Sequence, residues 1–195
     1  IIFVTNMDDD HASFRELVLK LERRFGRSVA PFQLPIRENE KFVGYVNVVK
    51  MAGRRFTNLS DYEECEIPDY SQKNLGIARD ALLEAVAETS EEYMERYFSG
   101  EEFTLEEIQG ALREHVIDGS IVPVLMGSGV NCQGFKTLLQ VIDRYLPTPD
   151  KFECIGVDVS TGERFTAKYN DQVSLSARVF KTIVDPFIGK YSLMK

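Results

Sequence analysis

The chain has 195 residues, of which 44% are hydrophobic and 28% are charged, and its formal net charge is −8. This composition is typical of a folded globular protein and suits one large domain or two small ones. No segment approaches the roughly 18 consecutive apolar residues of a membrane span, and residues 1–4 lack the basic flank of a signal peptide. We therefore expect a soluble, cytoplasmic protein with no membrane partner.

The first predicted unit is a strand, a polar loop and a helix. Residues 1–4 are apolar and rich in β-branched side chains, which is typical of a strand buried on both faces of a parallel sheet. Apolar residues recur at helical spacing over residues 14–25, between a capping Ser13 and Gly26. The chain starts inside this strand and without an initiator methionine, so we interpret it as an excised fragment of a longer protein.

Residues 30–115 have a different character, and we interpret them as an inserted α+β subdomain. Short strands are predicted at residues 32–36, 42–49 and around 55–56. Helices follow, with a break near residues 89–90 and a capping box formed by Thr104 and Glu107. The predicted apolar face of the first helices consists of Leu75, Ala78, Leu82, Val86, Met94 and Phe98.

A second strand, loop and helix unit begins near residue 120. An apolar run at residues 121–126 leads into the tight loop 127–129, and a helix follows that ends before Pro147. Two such units belong to a parallel sheet, in which ligands bind at the carboxyl ends of the strands. The predicted apolar stripe of the helix consists of Phe135, Leu138, Leu139, Ile142 and Leu146.

Alternating strands follow residue 149 and indicate the start of an antiparallel barrel or sandwich. They are predicted at residues 154–159, 164–169, 173–184 and 191–194. The predicted division of the chain is therefore 1–29, 30–115, 116–149 and 150–195. The three cysteines, Cys65, Cys132 and Cys154, are scattered without a C-x-x-C pair, which favours buried, reduced thiols over disulfides or zinc.

Two features suggest binding chemistry. Asp8 follows a predicted parallel strand, where a carboxylate can accept the two parallel N–H bonds of a guanine edge. Asp8, Asp9 and Asp10 have two other interpretations, as acids before a helix N-terminus or, more weakly, as metal ligands. Ser128 and Gly129 offer N–H groups and a hydroxyl suited to a carbonyl on a base, although a tight turn has the same sequence.

Residues 61–114 contain sixteen acidic residues against four basic ones, a net charge of −12. This helical surface is either a solvated face or a docking surface for a basic partner. A phosphate-cradling G-x-x-x-x-G-K-[ST] motif does not occur in the sequence.

These motifs together resemble the middle of bacterial elongation factor G, a translational GTPase. The resemblance is carried by residues 2–8, 33–36, 42–46, 66–68, 82–88, 97–102, 121–124, 127–129, 145–149, 177–181 and 185–190. It implies an α/β fold, namely part of a P-loop GTPase sheet with the inserted G-prime subdomain. The first strands of an antiparallel β-barrel would follow.

The resemblance also implies site residues. Guanine would be bound by Thr5, Asn6, Asp8, Ser128 and Gly129. Thr5 and Asn6 replace the Asn and Lys of the family motif, which should weaken base affinity, whereas Asp8 is retained and Gly129 stands in place of Ala. The acidic docking surface would include Glu84, Glu88, Glu91, Glu92 and Glu95.

For the full-length parent, the resemblance implies binding of GTP or GDP with Mg²⁺ and ribosome-stimulated GTP hydrolysis that drives translocation. Its partners would be the ribosome, including the stalk protein and ribosomal RNA. The fragment would have no catalytic or metal-binding residue, would hold no cofactor and would be inactive alone. Its exposed sheet edge favours self-association.

Two other interpretations fit the same residues. The parent would be a diverged paralogue that binds ribosomes with weak or no GTP turnover, or a tetracycline-resistance ribosomal protection protein.

Overall fold

A computed structural model describes residues 1–58, 61–151, 153–167 and 177–194. The chain divides into two compact units, Ile1–Leu146 and Pro147–Lys195. The strands of the first unit are β1 (Ile2–Val4), β2 (Val29–Pro31), β3 (Gln33–Glu38), β4 (Lys41–Asn47), β5 (Ala52–Phe56), β6 (Tyr62–Cys65) and β7 (Val122–Met126). Its helices are α1 (Phe14–Phe25), α2 (Asp69–Ala87), α3 (Glu91–Ser99), α4 (Leu105–Asp118) and α5 (Phe135–Tyr145).

Three strands form a parallel sheet in the order β1-β7-β2. The central strand β7 is buried on both faces, and its residues Val124, Leu125 and Met126 are at most 1% exposed. Strand β1 is only half-buried, contrary to its predicted burial on both faces, because it lies at the edge of the sheet. Strand β2 was not predicted, and it crosses the predicted boundary at residue 29.

Helix α1 has the predicted ends. The Ser13 side chain accepts a hydrogen bond from the Glu16 amide, and Gly26 follows the last turn with a φ of 80°. Phe14 and Val18 are buried. They pack with strands β2 and β7 in a small core, so this helix covers one side of the parallel sheet.

Helix α5 ends at Tyr145, as the following prolines predict, but its buried side differs from the predicted stripe. Thr137, Val141 and Tyr145 are buried, whereas Leu139 is 65% exposed. Phe135 and Ile142 are also exposed. The predicted stripe is therefore only partly right: Leu138 and Leu146 are partly buried against the main core, whereas the most buried positions are Thr137, Val141 and Tyr145.

Four strands form an antiparallel sheet in the order β3-β4-β5-β6. The first three correspond to predicted strands, but β6 was missed because its sequence has little apolar alternation. It is held by its antiparallel register with β5, in which Glu64 lies opposite Arg54 and Glu63 opposite Arg55.

Helices α2 and α4 pack on these sheets through the main core. Leu75, Leu82, Val86, Ile108 and Leu112 are at most 2% exposed, which confirms the predicted apolar face of α2. The predicted end of α3 at a glycine and the predicted capping box of α4 are also confirmed.

The predicted face of α3 is wrong. Met94 is 42% exposed and Phe98 is 80% exposed. Helix α3 packs through Tyr93 instead, whose ring centroid lies 5.3 Å from that of Phe103. Tyr93 and Phe103 are both partly buried against the main core.

The second unit contains two antiparallel hairpins. Strand β8 (Cys154–Val157) pairs with β9 (Arg164–Ala167), and β10 (Val179–Asp185) pairs with β11 (Gly189–Met194). They are not joined into a closed barrel in the described part of the unit. Residues 168–176, in which two of the predicted strands partly fall, lie outside the described residues.

The structure is a mixed α/β fold, as predicted, with a small parallel sheet and antiparallel sheets. Within residues 1–58, 61–151, 153–167 and 177–194, no helix has the length and apolar character needed to cross a membrane. The three cysteines are free, but the expectation of buried thiols is wrong: Cys65 is half-buried, and Cys132 and Cys154 are exposed.

Candidate functional site

The loops that follow β1 and β7 are hydrogen-bonded to each other. The Met7 amide donates to the main-chain oxygen of Gly127 at 3.2 Å, and the Gly127 amide donates to that of Val4 at 2.9 Å. A Cβ on Gly127 would collide with the main-chain oxygen of Gln133 and with the Phe3 ring. The close packing of Gly127 against these two groups therefore requires glycine. The two loops are therefore neighbours at the carboxyl ends of parallel strands, as their sequences predict.

Asp8 lies in the first loop with one carboxylate oxygen unpaired. Its Oδ1 is buried and has no hydrogen-bond partner among the described residues. Asp9 differs, because its Oδ1 accepts the His11 amide at 2.8 Å and so shapes the loop. Neither aspartate caps α1, since Ser13 does so. The buried, unpaired oxygen of Asp8 is costly unless a ligand donates to it.

Thr5 and Asn6 are exposed on the same loop. Neither side chain makes a hydrogen bond to another described residue, so the link between the loops consists of the Met7 and Gly127 main-chain bonds. Asn6 adopts a left-handed conformation with a φ of 59°, which asparagine tolerates better than most residues. The hydroxyl of Thr5 therefore does not fasten the two loops together.

Ser128 and Gly129 have different roles in the second loop. Ser128 is fully buried, and its amide donates to the Gln133 main-chain oxygen at 3.0 Å. Its hydroxyl oxygen accepts the Asn131 amide at 3.1 Å, so Ser128 mainly holds the turn together. Gly129 is exposed, and a Cβ there would meet open space. Its amide is thus the more accessible donor to a ligand.

Sequence reasoning missed Arg37, a residue of β3 that clamps the Asp8 loop. Its Nη2 donates to the main-chain oxygens of Met7 at 2.9 Å, Ala12 at 3.1 Å and Asp9 at 3.3 Å. Its Nη1 donates to the main-chain oxygen of Glu40. One guanidinium therefore fixes the loop from both flanks of Asp8. The sequence holds no signal for these hydrogen bonds, because they join residues 25 to 30 positions apart in the chain.

Arg37 is in turn held by Tyr70 at the start of α2. The Arg37 amide donates to Tyr70 Oη at 3.0 Å, and the Tyr70 hydroxyl donates to the Arg37 main-chain oxygen at 3.1 Å. The helix that carries part of the acidic surface is thereby connected to the Asp8 loop through two residues.

The predicted acidic docking surface lies on α2 and α3. Glu84 belongs to α2, Glu88 caps its end, and Glu91, Glu92 and Glu95 belong to α3; all five are exposed. Phe98, on the same short helix, adds an apolar side chain that is 80% exposed. An exposed aromatic ring among carboxylates is a combination suited to a basic, partly apolar partner.

An ion pair joins α3 to α4 beneath this surface. Arg96 Nη1 lies 2.7 Å from Glu107 Oε1, and Glu107 also closes the capping box with Thr104. The hydrogen bond from Arg96, followed by that from the Thr104 amide, lowers the pKa of Glu107 from 4.5 to about 2. Within the described residues, no group of three or more His, Cys, Asp or Glu side chains is arranged to hold a metal ion.

No known family profile matches the sequence. The structure is similar to the crystal structure of ttk003000868 from Thermus thermophilus, with a TM-score of 0.77 and 29% sequence identity. The match covers 100% of this chain and 26% of that one. The chain therefore spans about a quarter of the length of that protein, and the similarity supports the α/β fold.

Proposed function

We propose that this chain is part of a translational GTPase resembling elongation factor G, and that it supplies guanine recognition and a partner-docking surface. The observation that carries the proposal is the buried, unpaired Oδ1 of Asp8 beside the 127–129 loop. That oxygen lacks a donor among the described residues, and a bound base would provide one.

Asp8 would select guanine by hydrogen bonding. A carboxylate accepts the ring N1–H and the exocyclic amino group together, and adenine presents no such pair of donors. The Gly129 amide would donate to the exocyclic oxygen of the base. Arg37 would keep the main chain on both sides of Asp8 in position, so that the carboxylate is oriented before the nucleotide arrives.

The exposed glutamates of α2 and α3 would dock a basic partner, which we propose is the ribosomal stalk protein. Support comes from the five exposed carboxylates and from Phe98. The ribosome, including its RNA, would be the wider partner. Localisation in the cytoplasm and use of GTP or GDP with Mg²⁺ in the full-length parent belong to the same proposal.

The test is ribosome-stimulated phosphate release by the full-length parent with GTP, ATP and xanthosine triphosphate at one fixed concentration. Turnover selective for GTP supports guanine recognition by the Asp8 loop. Equal turnover of ATP would overturn it.

A second candidate function is ribosome binding with little or no turnover. The exposed, unbonded side chains of Thr5 and Asn6 favour it, because neither reinforces the base-binding loop. It predicts ribosome binding that is the same with GDP, with GTP and without nucleotide. Protection of translation from tetracycline by the parent would instead support a ribosomal protection protein.

A further inference from the structure

A cavity of about 180 Å³ lies within the first unit, away from the Asp8 loop. It opens to the surface and is lined by residues of the antiparallel sheet, α5 and β7 and by Gln109 of α4. Engineered cavities of about 150 Å³ accept a molecule of benzene size, so this space is large enough for a small organic ligand.

Arg54 lines the cavity as a buried cation without a counter-ion. It is 6% exposed, and no carboxylate of a described residue forms an ion pair with it. Its Nη1 donates to Tyr45 Oη at 3.1 Å, and its guanidinium lies 4.2 Å from the centroid of the Tyr62 ring. Its Nε is buried with no acceptor among the described residues. The aromatic rings offset only part of the cost of burying this charge.

The side-chain amides of the cavity also present donors. Gln33 is 1% exposed; its Oε1 accepts the Met126 amide at 2.8 Å, which leaves its Nε2 buried without an acceptor in the described part of the chain. The Oδ1 of Asn47 accepts the Lys50 amide at 2.8 Å. Because a main-chain N–H can only donate, these bonds fix the amide oxygens of Gln33 and Asn47, and their nitrogens remain as donors.

The charged groups around the cavity are mainly cationic. Lys50 and Arg144 join Arg54, against the single carboxylate of Asp143 among the described residues. Apolar surface comes from Phe32 and other side chains. The lining thus combines cationic and hydrogen-bond-donating groups with apolar side chains.

We propose that this cavity binds a small organic anion, a carboxylate or phosphate ester with an apolar body. Its oxygens accept hydrogen bonds from Arg54 Nε and Gln33 Nε2, and its apolar part contacts Phe32. The site is independent of guanine recognition, because it shares no residue with the Asp8 and Ser128 loops.

The test is an NMR titration of the ¹⁵N-labelled 195-residue chain with benzoate, phenyl phosphate and benzamide. The signals to follow are the Arg54 Nε–H and the Gln33 side-chain amide. Saturable shifts with an anion, and none with the uncharged benzamide, are expected. Whichever of benzoate and phenyl phosphate binds more tightly identifies the preferred anionic group. Equal shifts with benzamide, or no saturation with either anion up to about 20 mM, would show that the two donors are satisfied by water and overturn the proposal.

The variant Arg54→Gln should weaken anion binding by about tenfold to a hundredfold, since it removes a charged, buried donor. Arg55→Gln is the matched control, because Arg55 is the next residue of β5 but is exposed and pairs with Glu38. Equal loss in both variants would contradict the assignment. Arg144→Gln is a second variant, for the case that Arg54→Gln does not fold. It removes an exposed cation of the same cavity and should weaken anion binding severalfold. Unchanged anion binding by Arg144→Gln would contradict the proposal.

Discussion

The guanidinium of Arg37 hydrogen-bonds the main-chain oxygen of Met7 at 2.9 Å, thirty positions earlier in the chain. It holds the oxygens of Asp9 and Ala12 as well, so a strand of the antiparallel sheet fixes the loop that carries Asp8. The conformation of the proposed base-binding loop therefore depends on the segment that follows it.

Arg37→Met should loosen residues 7–12 and lower guanine-nucleotide affinity of the parent by about tenfold, because the loop must then be ordered on binding. Amide hydrogen exchange should become faster at Asp9 and Ala12, while exchange in β7 stays unchanged. Arg23→Met, a change on the exposed side of α1, is the control. Unchanged exchange in the loop would contradict a positioning role for Arg37.

Asp8→Asn in the parent should shift preference from GTP to xanthosine triphosphate. The amide replaces one acceptor with a donor, and xanthine offers the complementary oxygen. We expect the ratio of the two affinities to change by about a hundredfold or more. Competition binding of both nucleotides measures it, with Asp10→Asn, an exposed neighbour, as the control. An unaltered preference would remove Asp8 from base recognition.

Reversing the charge of Glu91, Glu92 and Glu95 to lysine should reduce binding of the parent to the ribosomal stalk protein by about tenfold at low salt. The effect should shrink as salt rises, because the attraction is screened. Glu114, Glu153 and Glu163 are exposed acids outside α2 and α3, and their reversal provides a control with the same change in net charge. Equal losses for the two triple variants would indicate a non-specific charge effect.

Stability should fall as the pH is lowered through the range set by Glu107. Its pKa is about 2 in the folded chain, below the ordinary value of 4.5. The unfolded chain therefore takes up the proton first, so the contribution of Glu107 is complete above about pH 4.5 and is lost towards pH 2. Glu107→Gln should flatten this part of the curve of unfolding free energy against pH. Glu106→Gln, one residue earlier in α4, should leave the curve as steep as in the wild type.

The chain should self-associate at high concentration. Strand β1 is a sheet edge, and Leu139, Phe135 and Ile142 leave apolar surface exposed on α5. Light scattering across a concentration series measures the effect, and Leu139→Lys should move the distribution towards monomer. A monodisperse wild-type monomer at all concentrations would contradict this expectation.

Local sequence signals determined much of the framework. Ser13, Thr104 and Gly100 act within one helical turn of their own position, so the ends of α1, α3 and α4 follow from residue type. The apolar run of β7 predicted a buried strand, and the adjacency of the two loops followed from the parallel βα pattern.

Tertiary structure decided which faces are buried and what holds the Asp8 loop. Strand β6 depends on its pairing with β5, helix α3 packs through Tyr93 and leaves Phe98 exposed, and Arg37 reaches Met7 across thirty positions. Each of these outcomes is a contact between different segments of the folded chain. Periodicity and capping report only the neighbours of a residue along the chain, whereas burial and long-range hydrogen bonds depend on which segments the folded chain brings together.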